Sequence, residues 1–210
     1  MMPRSLLPLT AIVMFALAGP VRGQSPPGDL ELVHSLRAGG NVIVIRHGAT
    51  DPDAADTDPL NHDNIAKQRQ LSAKGEAAAV ALGEAFKSIG IPVGQVYTSR
   101  FNRAYQTAKL AGFEPIEKSI DLTEGGLVVS PNENNRRAQA LRKLAATPPP
   151  AASNVLIVTH KPNILDAFGK DWFEVREGEA TIFKPEGGGY KIVARVQMAD
   201  WSRLAKAAKN

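Results

Sequence analysis

The chain contains no cysteine among its 210 residues. Disulfide bonds, thiol nucleophiles and thiolate metal ligands are therefore excluded, and the stability of the fold depends on its core. The sequence also lacks a Gly-x-Ser-x-Gly segment, so the nucleophile turn of α/β-hydrolases is missing. Its glycine run at 187–189 precedes a predicted strand rather than a helix, which is the wrong context for a nucleotide-binding loop.

The chain has little excess charge. Lysine and arginine number 25 against 21 aspartates and glutamates, which gives a formal net charge of +4. Without the basic leader described next, the charge is about +2. There is also no dense run of lysine or arginine. We therefore predict that nucleic acid is not a partner of this protein.

The amino-terminal segment has the pattern of a secretory signal. A short basic start is followed by an apolar run at 6–18 and by small residues before Gly23. That run is shorter than the roughly 20 residues that span a bilayer. We predict a signal peptide over 1–23 and one domain over 24–210, exported to the periplasm or the cell exterior, with no stable membrane anchor after cleavage. An uncleaved membrane anchor is the alternative.

Short apolar strands alternate with helices along the rest of the chain. The predicted strands are 41–45, 93–98, 116–122 and 154–158. The predicted helices are 30–37, 77–89, 102–110, 132–146, one beginning near Pro162, and 200–209. Ser72 is a predicted N-cap ahead of the second of them. Residues 179–185 and 190–196 alternate around the glycine run and predict a closing hairpin. This pattern predicts an α/β three-layer sandwich, with a mostly parallel central sheet and helices on both faces.

Two of the four histidines end the most strand-like segments. The first predicted strand leads into Arg46-His47-Gly48, and the strand at 154–158 leads to His160. Such apolar, β-branched runs are typical of buried parallel strands. Ligands of open α/β sheets bind beyond the carboxyl ends of the strands. If the two strands are neighbours, His47 and His160 meet at one ligand site.

The neighbours of His47 suit a nucleophile that faces an anion. A neutral imidazole can attack phosphorus, and the Arg46 guanidinium can bind two phosphate oxygens at once. Gly48 lets the backbone approach the ligand. A second segment places Arg100 and Arg103 at the start of a helix, where free N–H groups attract anions. Either arginine could face the ligand, and either could be solvated.

These segments together resemble the histidine phosphatase superfamily, which has the phosphoglycerate-mutase-like fold. The segments that carry the resemblance, in order, are Val44-Ile45-Arg46-His47-Gly48-Ala49-Thr50, Leu71-Ser72-Ala73-Lys74-Gly75, Thr98-Ser99 with Arg103-Ala104 and Thr107-Ala108, and Val158-Thr159-His160. The ordered set is specific although its single elements are not, and it covers roughly residues 41 to 170.

The resemblance implies that His47 is the phosphorylated nucleophile and that Arg46, Arg103 and His160 complete a phosphate pocket. The arginine of the family's motif corresponds to Arg103 and not to Arg100. No metal and no other cofactor is implied. A phosphoryl group needs positive charge around its equatorial oxygens, which two arginines and one protonated histidine would supply. The attacking histidine must stay neutral, with its tautomer fixed by a hydrogen bond to the backbone.

Glu124 is the predicted general acid. The family uses either a carboxylate after the third strand or an aspartate directly after the second histidine. The segment 122–126 resembles the first arrangement, whereas Lys161 occupies the position required by the second. The alternative is that Glu124 is an ordinary carboxylate in a turn. Glu133 and Asp51 are further candidates for protonating the leaving group.

Residues 51–64 predict a long acidic loop beside the end of the first strand. Its five aspartates suggest calcium, but two prolines interrupt it, and it lacks the glycine and terminal glutamate of calcium-binding loops. We prefer to interpret this acidic loop as a lid that shapes the substrate pocket. Asn61 and Arg69 are candidate ligands for a phosphate or a sugar hydroxyl. Glu179 is expected to form a hydrogen bond across the floor of the site.

The sequence therefore predicts an exported phosphomonoesterase that acts through phosphohistidine on a small phosphorylated substrate. A phosphosugar of the cell envelope is one candidate substrate. Three alternatives remain open: a catalytically inactive phosphate- or phosphosugar-binding protein, a mutase-like phosphotransferase, and a phosphoprotein phosphatase. The sequence makes no prediction of the oligomeric state.

Overall fold

The computed structural model describes residues 27–209, so the predicted signal peptide lies outside the described residues. The strands are β1 (Val42–Arg46), β2 (Val93–Ser99), β3 (Ile116–Ser119), β4 (Asn154–Thr159), β5 (Ala180–Glu186) and β6 (Gly189–Val196). The α-helices are α1 (Asp29–Ala38), α2 (Ala73–Ile89), α3 (Asn102–Leu110), α4 (Pro131–Ala146), α5 (Lys161–Phe168) and α6 (Trp201–Ala207).

The strands form one sheet in the order β3-β2-β4-β1-β5-β6. β1 to β4 run parallel to one another, while β5 is antiparallel to β1 and pairs with β6 as a hairpin. β1 and β4 are direct neighbours, with Arg46 opposite Thr159. The predicted sandwich, its mostly parallel sheet and its closing hairpin are confirmed, and the two histidine strands end at the same edge.

Each face of the sheet has its own hydrophobic core. Ile43 and Ile45 of β1 pack in a core with α1, α2, α3 and α6. Val42 and Val44 of the same strand pack on the opposite face with α4 and α5. Because successive side chains of a strand point to opposite faces, a strand covered on both sides must be apolar throughout. This explains why the histidine strands are continuous apolar runs.

Helix α2 begins at Ala73, four residues before the predicted start. Ser72 caps it by accepting a hydrogen bond from the Gly75 backbone N–H at 3.2 Å. At Gly75 an added Cβ would lie 2.0 Å from the carbonyl oxygen of Ala49, so only glycine fits. This close approach packs the first turn of α2 against the segment that follows His47. The predicted N-cap at Ser72 is confirmed, although the apolar pattern of the helix begins only at 77 because its first turn carries no large apolar side chains.

The third strand is shorter than predicted. β3 ends at Ser119, and Ile120–Leu122 form a 3₁₀ turn that places Leu122 in the core. The acidic loop has no helix or strand within it, as predicted, and a short 3₁₀ helix at Ile65–Lys67 follows it. None of the helices in residues 27–209 combines the length and the apolar character needed to cross a membrane.

Candidate active site

The carboxyl ends of β1 and β4 bring His47 and His160 together. Their ring centroids lie 5.1 Å apart, and the ring planes are inclined by 60°. Both side chains are buried. The sheet register causes this meeting, because each histidine directly follows the last residue of its strand and those two residues are paired.

The His47 ring is held in one orientation by its own segment. Nδ1 lies 2.8 Å from the carbonyl oxygen of Gly48, so Nδ1 carries the proton and Nε2 keeps its lone pair. Within residues 27–209, Nε2 has no hydrogen-bond partner. Burial lowers the pKa of His47 well below its usual value, and the electrostatic effects of His160 and Arg103 lower it further. The lowered pKa favours a neutral imidazole at His47, and the hydrogen bond to Gly48 favours the tautomer whose lone pair is on Nε2.

The His160 ring has different partners. Nε2 lies 2.7 Å from the Ser99 hydroxyl, and Nδ1 lies 3.4 Å from a carboxylate oxygen of Glu124. Burial, followed by the charges of Arg103 and Arg69, lowers the pKa of His160 well below its usual value. These lowered pKa values favour the neutral form of both rings. That one histidine carries a proton when phosphate is bound stays a prediction.

Arg103 lies at the centre of the cluster and Arg100 lies at the surface. The Arg103 side chain, in the first turn of α3, is fully buried and stands over the Phe101 ring at 4.2 Å. Its Nη1 donates to Asp56 at 2.9 Å, and its Nη2 pairs with Glu124. The Arg100 side chain is 41% exposed and pairs with an exposed aspartate of the acidic loop. The geometry thus favours Arg103 as the phosphate ligand.

The segment that precedes β5 holds the Arg46 guanidinium in place. Its Nη1 donates to the Val175 carbonyl at 2.9 Å, and its Nη2 lies 3.5 Å from Glu177. Glu177 also accepts a hydrogen bond from the Thr50 hydroxyl at 3.0 Å. Burial lowers the pKa of Arg46, while the negative charge of Glu177 opposes that shift. Sequence reasoning missed Glu177, because only the fold brings it beside Arg46.

Glu124 lies within the cluster, whereas the two other candidate acids do not. One oxygen of Glu124 contacts both Arg103 and His160. Glu133 lies on the exposed side of α4, where hydrogen bonds from Arg136 and a second arginine hold the pKa of its carboxyl at about 2. Asp51 is exposed and caps the next turn of the acidic loop. Of the three candidate acids, Glu124 is therefore the one that lies within the cluster.

The two loop candidates differ in where they lie. The Arg69 backbone N–H donates to Asp56 at 2.9 Å, and the same carboxylate oxygen accepts from Arg103, so Arg69 lies beside the cluster. Asn61 is exposed, and in the described part of the chain its side chain makes no hydrogen bond. The structure therefore brings Arg69 to the site and leaves Asn61 at the surface.

Within residues 27–209, no group of three or more histidine, aspartate or glutamate side chains is arranged to hold a metal ion.

Glu179 does not reach across the floor of the site, so that expectation is wrong. Its carboxylate is buried and accepts hydrogen bonds from Arg195 and Gln197 of the hairpin and from the backbone N–H of Arg176. Its backbone oxygen accepts from the Arg46 N–H at 3.1 Å. Glu179 thereby connects the hairpin, through its carboxylate, to the end of β1, through its backbone. These bonds stabilise the backbone on which Arg46 lies.

Two polar side chains that sequence reasoning missed support the cluster. Ser99 ends β2, and its hydroxyl binds His160. Thr123 lies 3.3 Å from that hydroxyl, and its own hydroxyl accepts from the Arg100 N–H at 2.9 Å. The Thr123 carbonyl accepts from Arg137 at 2.8 Å. These contacts fix the backbone immediately before Glu124. Their only signal in the sequence is a polar residue at a strand end.

The comparisons with known proteins agree with this geometry. The family model of the histidine phosphatase superfamily (branch 1) matches residues 42–129, which confirms the resemblance over that segment. The comparison with curated protein sequences gives no match.

Solved structures show the same fold at low sequence identity. The protein histidine phosphatase SixA, in complex with tungstate, has a TM-score of 0.53 and 20% identity, covering 76% of this chain and 98% of that one. A mycobacterial glucosyl-3-phosphoglycerate phosphatase has a TM-score of 0.53 and 17% identity, covering 73% and 97%. A phosphoserine phosphatase from Entamoeba histolytica has a TM-score of 0.51 and 16% identity, covering 75% and 98%.

Proposed function

We propose that this protein is an exported, metal-independent phosphomonoesterase that acts through phosphohistidine. Its residues 42–129 match the family model of the histidine phosphatase superfamily. The observation that carries the proposal is the state of His47. Its Nδ1 is held by the Gly48 carbonyl, and within residues 27–209 its Nε2 makes no hydrogen bond in a cluster that also contains the buried Arg103. A neutral nucleophile beside a buried cation is what an in-line attack on a phosphate dianion requires.

The reaction has two balanced steps. His47 Nε2 attacks phosphorus, the bond from phosphorus to the ester oxygen breaks, and the leaving alkoxide takes a proton from Glu124. Water then attacks the phosphohistidine, Glu124 recovers a proton from that water, and the phosphorus–nitrogen bond breaks to release phosphate. Arg46 and Arg103 neutralise the equatorial oxygens in both steps.

Glu124 must carry a proton before the first step. In the ligand-free site it pairs with Arg103. A bound phosphate dianion competes for that arginine and repels the carboxylate, and both effects favour the protonated acid. The same ion pair supports the second candidate function, an inactive phosphate-binding protein. In that protein Glu124 would remain an ion-pair partner, and no leaving group would be protonated.

Export is supported by the sequence pattern of residues 1–23, and a phosphosugar of the cell envelope is the candidate substrate that suits that compartment. The test is phosphate release by the chain from residue 24 onward, from an aryl phosphate and a panel of sugar phosphates, with and without EDTA. We expect turnover that EDTA leaves unchanged and a preference for one sugar phosphate. Phosphate binding without turnover would favour the binding protein, and transfer between sugars without phosphate release would favour a mutase.

A further inference from the structure

Asp56 is the residue of the acidic loop that enters the active-site cluster, and the proposed reaction gives it no role. One oxygen, Oδ1, accepts a hydrogen bond from Arg103 Nη1 at 2.9 Å and another from the Arg69 backbone N–H, also at 2.9 Å. The side chain is only 17% exposed. A single carboxylate oxygen therefore joins the phosphate-binding arginine to the segment that follows the loop.

The other aspartates of the loop make contacts of a different kind. Asp51 accepts from the backbone of Asp53, and Asp58 accepts from Asn64 at 2.9 Å, so both bonds stay within the loop. Asp63 is 90% exposed and pairs with a surface arginine. In the described part of the chain, Asp56 is the loop aspartate bonded to a fully buried side chain. Its contact is therefore distinct from ordinary loop capping.

Arg69 is the residue that this contact places. Its backbone N–H and Arg103 Nη1 bind the same oxygen of Asp56, so Arg69 lies beside the buried arginine of the cluster. Within residues 27–209 no carboxylate forms an ion pair with it. The preceding residue, Gln68, is buried and accepts from the Asn102 N–H at 2.7 Å, which anchors the segment on α3. A cation without an acidic partner at the edge of an anion site is available to a ligand.

We propose that Asp56 is a positioning residue that holds Arg69 at the phosphate pocket, where Arg69 serves as a third cationic ligand of the substrate phosphate. The inference rests on the proposed function of the site. Asp56 links the main chain of Arg69 to the side chain of Arg103. The two arginines that would bind the phosphate are thereby held in a fixed relation to each other. The acidic loop thereby contributes to phosphate affinity although its own charge is negative.

The test compares Asp56→Ala, Asp56→Asn and Arg69→Ala with Asp53→Ala, whose aspartate is exposed in the same loop. Inorganic phosphate affinity is measured by calorimetry, and KM and kcat are measured with an aryl phosphate. We expect Asp56→Ala and Arg69→Ala each to weaken phosphate binding and raise KM about tenfold, with kcat within about threefold of wild type. Asp56→Asn retains an acceptor oxygen and should recover most of the affinity. Asp53→Ala should match wild type.

The double variant Asp56→Ala/Arg69→Ala tests whether the two residues act as one. If Asp56 acts through Arg69, the double variant binds phosphate no more weakly than Arg69→Ala alone. Additive losses, or Asp56→Ala binding phosphate as tightly as Asp53→Ala, would overturn the proposal. If Asp56→Ala does not fold, Asp56→Asn is compared with Arg69→Ala instead. Equal tenfold losses of phosphate affinity in these two variants would also contradict the proposal. Phosphate affinity does not depend on turnover. A wild-type protein without phosphatase activity would therefore refute the proposed function but would leave the proposal about Asp56 and Arg69 to be decided by the binding data.

Discussion

The ends of β1 and β4 are alike in sequence and differ in the partner of the histidine that follows each. Both strands are apolar, buried and paired, and both histidines are buried. The His47 ring binds a backbone carbonyl through Nδ1, whereas the His160 ring binds the Ser99 hydroxyl through Nε2. A carbonyl only accepts a hydrogen bond, while a hydroxyl can accept or donate.

This difference separates the proposed roles of the two rings. The carbonyl fixes one tautomer of His47 and leaves its Nε2 with a lone pair, which suits a nucleophile. The hydroxyl permits either tautomer of His160, whose Nδ1 faces Glu124 at 3.4 Å. We expect His160 to gain a proton when phosphate binds, because its Nδ1 faces Glu124, whereas burial favours the neutral form of His47.

The largest expected effect separates the two histidines by substitution. His47→Ala should lower kcat by at least about 10⁴-fold, because no other nucleophile is placed to replace it. His160→Ala should lose about 10²- to 10³-fold, because it removes a phosphate ligand and keeps the nucleophile. The measurement is kcat with an aryl phosphate, with His34→Ala on the exposed side of α1 as the control. Equal losses in the two variants would remove the distinction between the rings.

A second substitution pair tests the cation that both histidines face. Arg103→Ala should lower kcat/KM by about 10²- to 10³-fold, because a fully buried guanidinium within the cluster is lost. Arg100→Ala should stay within about twofold of wild type, since exposed ion pairs contribute little. Both variants are assayed with the same aryl phosphate. Comparable losses would mean that the structure assigns the wrong arginine to the pocket.

A smaller effect is expected at the partner of His160. Ser99→Ala removes one hydrogen bond from the ring, which is worth about 1 kcal/mol or roughly fivefold in kcat/KM. The His47 ring does not contact Ser99, so formation of phosphohistidine should persist. Ser202→Ala, which alters an exposed serine outside the cluster, serves as the control. A loss as large as that of His47→Ala would show that the hydroxyl supports the nucleophile instead.

The last prediction concerns the pH dependence of stability and not the rate. Both histidines have pKa values lowered in the fold, so the unfolded chain takes up their protons first as pH falls below about 6.5. Each histidine then removes up to about 1.4 kcal/mol of unfolding free energy per pH unit, until its folded pKa is reached. Above about pH 7 this loss is absent. The measurement is the free energy of unfolding, obtained from urea titrations at several pH values between about 5 and 6.5. As the pH falls, this free energy should decrease less steeply in His47→Asn than in wild type. An unchanged pH dependence would indicate that the pKa of His47 is not lowered in the fold.

The parts of this architecture that follow from local patterns were predictable. The apolar runs at β1 and β4 identify buried parallel strands, and the residues after them identify the histidine pair. Arg103 and Glu124 were named from a resemblance in motif, and the structure brings both into the cluster. The same patterns produced the prediction that β3 extends to 122, because Leu122 is apolar and is buried equally well by a 3₁₀ turn.

The contacts that cross between distant segments could not be predicted. Asp56 meets Arg103 across 47 residues, and Arg46 meets Glu177 across an even larger separation. Neither pair has a spacing or a periodicity that a single sequence reveals. Glu179 was placed on the site floor for the same reason, since its true partners lie on the hairpin. Such pairings depend on the sheet order and on loop paths, which local propensity does not encode.

The most direct test of the account is the location of the trapped phosphoryl group. The protein is mixed briefly with a ³²P-labelled aryl phosphate, quenched in alkali, in which phosphohistidine survives, and mapped by mass spectrometry. The account predicts a label on His47 in wild type and in His160→Ala, and no label in His47→Ala. A label on His160, a label that persists in His47→Ala, or turnover by wild type without any trapped label would contradict the phosphohistidine mechanism.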